Sequence, residues 1–185
     1  MWETIRLEIK PFTSSGSVLG INDRGLACGY LDLAIGAEPT RIPCVWSPGE
    51  SGSYESPPMV LPVPESALAG AALDLNIAGQ VVGYYCESSV QRRACWWEID
   101  PLQFTDLQTE GVAVAINGIG TMAGFDDNGC FLWQGGQRVD LAELAEAESM
   151  VSVFGISAFG DLIGRTSGGL VLAEPDSLLK WDVQD

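Results

Sequence analysis

Residues 115–133, AINGIGTMAGFDDNGCFLW, contain two glycine turns between three apolar runs within nineteen residues. Asn117 begins the first turn and Gly120 ends it. Because asparagine tolerates turn geometry and glycine adopts positive φ angles, this spacing predicts two antiparallel strands joined by a hairpin. Gly124 falls inside the strand that follows, where a glycine indicates a bulge or the close approach of another backbone. Residues 126–129, DDNG, predict a second hairpin turn. They are not interpreted as a calcium loop, because the spaced ligands and closing glutamate of such a loop are missing.

The first of these turns belongs to a repeat that covers most of the chain. Its template is an aliphatic residue, Asn or Ser, two variable residues, Gly, one variable residue, two apolar or small residues and a second Gly. The four copies are residues 21–29, 75–83, 116–124 and 156–164. The Asn or Ser positions lie 54, 41 and 40 residues apart, and a period of this size is typical of the blades of a repeat protein.

Each copy is followed by two further strand patterns. The first is an apolar run, which contains a tryptophan in three copies, as in residues 44–46, and is degenerate at residues 170–172 in the fourth. The second is a short acidic and aliphatic pair, as in residues 139–141. Four such sets predict an all-β fold, a small β-propeller of about four four-stranded blades, built as a single domain over residues 1–185. The blades are expected at residues 17–64, 71–108, 112–142 and 151–185, with a closing strand at residues 4–12. Because one outer strand is surplus, the alternative is an open or half propeller completed by dimerisation.

The recurring pattern also carries a family resemblance. The motif A-x-x-I-N-x-x-G-x-x-x-G, followed by A-F-L-W and then D-L, resembles the HAF-repeat family of bacterial extracellular repeats, whose units are similar to propeller blades. The resemblance implies a propeller-like fold, and it implies no catalytic residues. The histidine after which the repeat is named is replaced here by Ile42, Arg93, Gly129 and Gly168.

The charge of the chain is strongly one-sided. Nine Lys and Arg residues stand against 25 Asp and Glu residues, which gives a formal net charge of −16. A chain this acidic repels phosphate backbones and anionic lipid surfaces, so neither nucleic acid nor a membrane is expected as a partner. The charge favours a basic protein partner, bound cations or simple solubility instead.

The N-terminal residues predict no targeting segment. Residues 1–16 scatter charges among their apolar residues and contain no leader-like apolar core. No run approaches the ~18 consecutive apolar residues of a membrane helix. These observations predict a cytoplasmic protein; an extracellular or periplasmic location would follow if a leader preceded Met1 and had been removed.

Residue types suited to catalysis are scarce. The chain has no histidine, which excludes Ser-His-Asp and Cys-His nucleophiles and removes the commonest general base and metal ligand. There is no glycine-rich phosphate loop, and no pair of carboxylates stands out from the general acidity. We therefore predict no enzyme activity, no cofactor and no metal site, and a carboxylate-dependent hydrolase is the least favoured hypothesis.

The cysteines and tryptophans follow the repeat rather than motifs of their own. Cys44 and Cys95 occupy equivalent positions at which the other copies have a hydrophobe, so these cysteines are interpreted as core residues with reduced thiols. Trp46, Trp97 and Trp133 are predicted to wedge between blades, with a platform for ligand stacking as the alternative.

One position breaks the repeat. Two residues before the Asn or Ser, three copies have Gly20, Ala115 and Gly155, whereas the second copy has Asp74. A carboxylate beside the axis of a ring is expected either to hold a water or a structural cation or to be solvated at the channel mouth.

Departures from the repeat mark the loops that can present binding residues. Blade one carries insertions at residues 31–40 and 47–58, blade two carries an adjacent arginine pair, and residues 140–150 have the composition of a short acidic helix. The candidate partner-binding residues are Tyr54, Glu55, Asp74, Arg92, Arg93, Asp126, Asp127, Glu143, Glu146 and Glu148.

Strong acidity without catalytic groups favours a non-catalytic protein-binding module. The most concrete hypothesis is an acidic inhibitor or immunity-type protein that binds a basic partner such as a toxin, because opposite charge speeds and selects association. The alternative is a carbohydrate or cell-surface ligand-binding propeller that uses the tryptophans and acidic residues. A homodimer is compatible with the open-ring alternative.

Overall fold

The computed structural model describes residues 13–34, 40–144 and 150–174. These residues form fifteen strands in four antiparallel sheets, and each sheet uses strands that are consecutive in the chain. Sheet 1 contains β1 (Thr13–Ile21), β2 (Ala27–Leu33), β3 (Thr40–Trp46) and β4 (Met59–Val60). Sheet 2 contains β5 (Ala69–Leu75), β6 (Gln80–Cys86), β7 (Arg92–Ile99) and β8 (Leu102–Glu110). Sheet 3 contains β9 (Val112–Ile116), β10 (Met122–Asp126), β11 (Gly129–Gln134) and β12 (Gln137–Asp140). Sheet 4 contains β13 (Met150–Ile156), β14 (Leu162–Thr166) and β15 (Leu170–Ala173). The all-β class predicted from the sequence is confirmed.

The described residues contain one helical turn, α1 (Leu141–Leu144), which directly follows β12. This turn lies within the segment 140–150 that was predicted to form a short helix. None of the helical structure in the described ranges is long and apolar enough to cross a membrane. The predicted closing strand 4–12 and residues 175–185 of the last predicted blade lie outside the described residues.

Each Asn-x-x-Gly turn is held by the side chain of its first residue. Asn76 Oδ1 accepts hydrogen bonds from the backbone N–H groups of Ala78 and Gln80, at 3.1 and 3.0 Å. Gly79 adopts a φ of 89°, a conformation that residues with a Cβ atom rarely reach. The corresponding pair of hydrogen bonds is accepted by Asn22, Asn117 and Ser157. The repeat therefore encodes one turn four times.

The second glycine of the repeat marks a close backbone approach, as the sequence predicts. A Cβ atom on Gly83 would lie 2.0 Å from the carbonyl oxygen of Ala71 on the neighbouring strand. The β5–β6 pairing shifts register between Ala72 and Asp74, and this bulge brings the β5 backbone over Gly83. At the equivalent Gly29, Gly124 and Gly164, a Cβ atom would meet backbone oxygens at 1.9, 2.3 and 2.3 Å.

The turn asparagines also connect neighbouring sheets. Asn22 Nδ2 donates a hydrogen bond to the carbonyl oxygen of Asn76 at 2.9 Å, and Asn76 Nδ2 donates to that of Asn117 at 3.1 Å. Asn117 Nδ2 donates to the carbonyl oxygen of Ser157 at 3.4 Å. We call this row the asparagine ladder. It ends at Ser157, whose hydroxyl donates to Asp161 at 2.8 Å instead.

The sheets pack in chain order, and the first three strands of one sheet lie against the first strand of the next. Strands β1, β2 and β3 contact β5; β5, β6 and β7 contact β9; and β9, β10 and β11 contact β13. Three apolar clusters fill these junctions, and they contain buried residues such as Trp97, Phe131 and Leu162. Between the described strands of sheets 1 and 4 there is no comparable contact.

Candidate functional site

A surface groove of about 600 Å³ opens where sheets 2 and 3 meet, and we call it the sheet 2–3 groove. Its walls are residues 88–92 of the β6–β7 hairpin, residues 110–112 between β8 and β9, and residues 125–128 of the β10–β11 hairpin. Gly111 is the single residue between β8 and β9 in the chain. A Cβ atom at this position would lie 2.3 Å from the carbonyl oxygen of Phe125. The groove brings together three residues predicted from the sequence, Arg92, Asp126 and Asp127.

The carboxylates of the groove have different surroundings. Asp126 is paired with Arg138 Nη2 at 2.8 Å, and its side chain is only 5% exposed. Glu110 accepts a hydrogen bond from Gln91 Nε2 at 2.6 Å at an exposed position. Asp127 is exposed, and no ion pair joins it to any residue in the described ranges. Glu110 and Asp127 are therefore the solvent-accessible carboxylates of the groove.

The arginine pair at the start of β7 is divided between the two faces of the strand, because successive strand residues point in opposite directions. Arg92 lines the groove, and its guanidinium lies 5.0 Å from the centroid of the Tyr84 ring. Arg93 Nε donates to the Tyr85 hydroxyl at 2.9 Å, and its Nη2 pairs with Asp106 at 3.2 Å. Arg92 is therefore available in the groove, whereas Arg93 is engaged within sheet 2.

The Tyr85 hydroxyl lies between the two charges of that pair. It accepts from Arg93 and donates to Asp106 Oδ2 at 3.2 Å. Burial, and then the charge of Asp106, raise the pKa of the Tyr85 hydroxyl. The phenol consequently stays neutral at physiological pH and acts as a fixed link in the sheet.

Asp74 is a structural tie between sheets. Its Oδ1 accepts from the N–H of Leu75 at 2.8 Å, and its Oδ2 accepts from the N–H of Ile116 on β9 at 3.0 Å. Burial raises the pKa of the Asp74 carboxyl, although the two hydrogen bonds act in the opposite direction. Across the described residues, no group of three or more His, Cys, Asp or Glu side chains is placed to hold a metal ion. The carboxylate is half-buried and hydrogen-bonded to the backbone of sheets 2 and 3.

Tyr54 differs most from its expected surface position. It is 8% exposed and packs with Ala27, Cys44 and Trp46 under the insertion 47–58. Its hydroxyl donates to the carbonyl oxygen of Gly25. Tyr54 is thus a core residue of sheet 1, because the insertion folds back over that sheet instead of extending into solvent.

The remaining predicted residues are acidic. Glu55 is exposed on the insertion 47–58, at a distance in sequence and sheet from the groove residues. Glu143 lies in α1, and Glu146 and Glu148 lie outside the described residues. Of these four carboxylates, the structure describes the side chain of Glu55 alone, and it does not line the sheet 2–3 groove.

Cysteines and tryptophans contribute to the core. All five cysteines are free thiols, four are buried, and Cys86 is half-buried. Burial is the main cause that raises the pKa of Cys28 to about 12 and that of Cys130 to about 11, so these thiols are poor nucleophiles. Trp46 and Trp97 are 2% and 0% exposed. Neither ring offers a face on which a ligand can stack.

Two features escaped the sequence-based predictions. Arg138 pairs with Asp126 across sheet 3 and lies 4.5 Å from the centroid of the Phe131 ring; only its position in a strand next to an acidic hairpin hinted at this. The apolar residues Ile119 and Phe159, at variable positions of the repeat turns, are 77% and 87% exposed. The repeat template could not predict this exposure, because it treats these positions as variable and assigns them no role.

Comparison with known proteins found no matching family model, no matching curated protein and no matching solved structure. The resemblance to the HAF-repeat family stays a prediction.

Proposed function

We propose that this protein is a non-catalytic protein-binding module of the inhibitor or immunity type, which binds a basic partner such as a toxin through the sheet 2–3 groove. The observation that carries the proposal is the pair of accessible carboxylates, Glu110 and Asp127, in the sheet 2–3 groove of a chain with a net charge of −16. Long-range attraction would steer a basic protein to this surface, and the groove would set its orientation.

The groove suits a long basic side chain. Val90 is 90% exposed on one wall and Phe125 is partly buried on another. The methylene stem of a lysine or arginine packs against such apolar surface, while its charged end reaches a carboxylate at the rim. Arg92 on the β7 wall repels a second cation, so the groove selects one basic side chain rather than a diffuse positive surface.

We also propose that the four sheets are the blades of an open, propeller-like array. The sequential packing of each sheet on the first strand of the next supports this arrangement. The Asn-x-x-Gly turns occupy one end of the array, where the asparagine ladder links them. The closed four-bladed ring predicted from the sequence is the competing arrangement, and electron microscopy or a crystal structure of the full chain distinguishes the two.

The binding proposal is tested by affinity capture from the source cell, followed by titration of the captured protein against matched variants. We expect Glu110→Gln with Asp127→Asn to slow association and to reduce its dependence on ionic strength, because rim charges act mainly on the association rate. The control is Glu55→Gln, a charge loss of the same kind away from the groove, which should leave binding within about twofold. A tight complex that ignores ionic strength, or one that responds equally to all three substitutions, contradicts the proposal.

A further inference from the structure

The three junctions between neighbouring sheets of the chain share one feature. A residue in the second strand of a sheet, Cys28, Val82 or Ala123, points at the next sheet, and each of the three is 0% exposed. The register places Ile163 of sheet 4 at the same position, and Ile163 is 51% exposed. Among the described residues, therefore, no sheet covers the face of sheet 4 that corresponds to the buried junction faces of sheets 1 to 3.

The exposure of this face extends beyond Ile163. Leu172 pairs with Ile163 across β14 and β15 and is 62% exposed, whereas its counterparts Val45 and Leu132 are 0% and 6% exposed. A concave space of about 300 Å³ lies on this face, between the Ser157 turn and Leu172. This surface is apolar and concave, so it can pack against a strand of another sheet as the internal junctions do.

The opposite end of the array lacks its neighbour in a complementary way. In sheets 2 and 3, the first strand packs under the preceding sheet, and Leu75 and Ile116 are 4% and 6% exposed. Ile21 holds the same repeat position in β1 and is 67% exposed. The first strand of sheet 1 is thus the missing partner for the face of sheet 4, yet the described residues of one chain do not bring the two together.

We propose that the face of sheet 4 in one copy packs on β1 of a second copy, and that the reciprocal contact closes a two-fold ring of eight sheets. The occupant is a second copy because the surface that fits sheet 4 is the one the chain already uses at three internal junctions. Rings of about four to eight blades are the usual size of propellers. This inference depends on the sheet packing and not on the proposed binding function.

The end of the asparagine ladder makes this junction different from the internal ones. Each internal junction has an asparagine amide that reaches the next sheet, but Ser157 has only a hydroxyl, and Asp161 holds it. The junction between copies therefore lacks one hydrogen bond that the junctions within a chain possess. It is consequently weaker and reversible.

The test is the mass of the full chain in solution, measured by sedimentation velocity from submicromolar to high micromolar concentration. We expect a reversible dimer that persists at high salt, because screening relieves repulsion between two chains of −16 charge each. A chain that stays monomeric throughout, or that forms an open series of larger oligomers, overturns the proposal.

Substitutions identify the surfaces. Ile163→Asp and Ile21→Asp each place a charge in the junction and should raise the dissociation constant by more than about tenfold. Ile119→Asp, at an exposed turn outside both end faces, is the matched control and should leave it unchanged. An equal mixture of the Ile163→Asp and Ile21→Asp chains should regain one intact junction and dimerise better than either chain alone. If only Ile163→Asp acts, the dimer pairs sheet 4 with sheet 4 and the proposed geometry is wrong.

A variant that strengthens the junction separates assembly from misfolding. Ser157→Asn supplies the missing ladder amide at both junctions of the dimer and should lower the dissociation constant roughly ten- to hundredfold, the effect of two net hydrogen bonds. Circular dichroism of each variant monitors the fold. The groove variants Glu110→Gln and Asp127→Asn should dimerise like the parent, so failure of the assembly and failure of the binding proposal are read independently.

Discussion

Asn76 performs two tasks that substitution can separate. Its Oδ1 holds the turn by accepting from Ala78 and Gln80. Its Nδ2 donates to the Asn117 carbonyl oxygen at 3.1 Å and to Gln80 Oε1 at 2.7 Å. Asn76→Ala removes both tasks. Asn76→Ser keeps the first, because the hydroxyl of Ser157 already accepts the equivalent two N–H groups in the fourth repeat.

The expected losses of stability differ by a measurable amount. Asn76 is 5% exposed, so most of its hydrogen bonds are not replaced by water when the side chain is removed. Asn76 makes four side-chain hydrogen bonds. With a net value of about 1 kcal/mol for each, the alanine variant should lower the free energy of unfolding by about 4 kcal/mol. The serine variant loses chiefly the bond to sheet 3 and should lower it by about 1 to 1.5 kcal/mol.

Urea denaturation followed by tryptophan fluorescence measures both values, because burial of Trp46 and Trp97 reports on the fold. The matched control is Asn117→Ser, which breaks the longer ladder bond of 3.4 Å and should cost less than Asn76→Ser. If Asn76→Ser were as costly as Asn76→Ala, the turn would contribute nothing. If it cost nothing, the ladder would not connect the sheets energetically.

Three further predictions follow from the same structure. Gly83→Ala places a Cβ atom 2.0 Å from a backbone oxygen and should lower the free energy of unfolding by more than about 3 kcal/mol in urea titrations, whereas Gly118→Ala, with no atom within 4 Å, should change it by less than about 0.5 kcal/mol. Asp74 has a pKa raised by burial, so the folded state binds its proton more tightly than the unfolded state does, and its contribution to stability improves as pH falls through the folded pKa. As the pH is lowered from neutral to about 4, the urea midpoint of the parent should therefore rise relative to that of Asp74→Asn. A difference between the two midpoints that does not change with pH would contradict a raised pKa for Asp74. In the native state, a thiol reagent should react slowly and only with Cys86, which is half-buried and whose pKa is raised by burial. All five cysteines should react in urea. Rapid labelling of the four buried cysteines in the native state would show that the core is open.

The repeat explains why much of the architecture is predictable from the sequence. Asn-x-x-Gly and the second glycine encode local geometry, a turn and a bulge, and local geometry depends on residues that are neighbours in the chain. The four hairpins and the close approach at Gly83 accordingly appear where the pattern predicts them. The core positions of Trp97 and Cys95 followed from the same phase.

What the sequence did not predict depends on contacts between sheets. Asp74 broke the repeat visibly, but its acceptor role needs the N–H of Ile116, which lies 42 residues away. An insertion in a repeat is usually exposed, so the sequence predicts Tyr54 at the surface. Only the folded chain shows that it packs against Trp46. The sheet 2–3 groove likewise exists only once two hairpins and Gly111 are side by side.

The asparagine ladder has a consequence for how such a chain can change in evolution. The donor in each link is a side chain that one unit supplies, while the acceptor is a main-chain carbonyl that every unit possesses. A unit copied by gene duplication therefore arrives with its own connector and needs no matching change in its new neighbour. In the described residues the fourth unit makes no such link, and its connector position is a serine whose hydroxyl donates to Asp161.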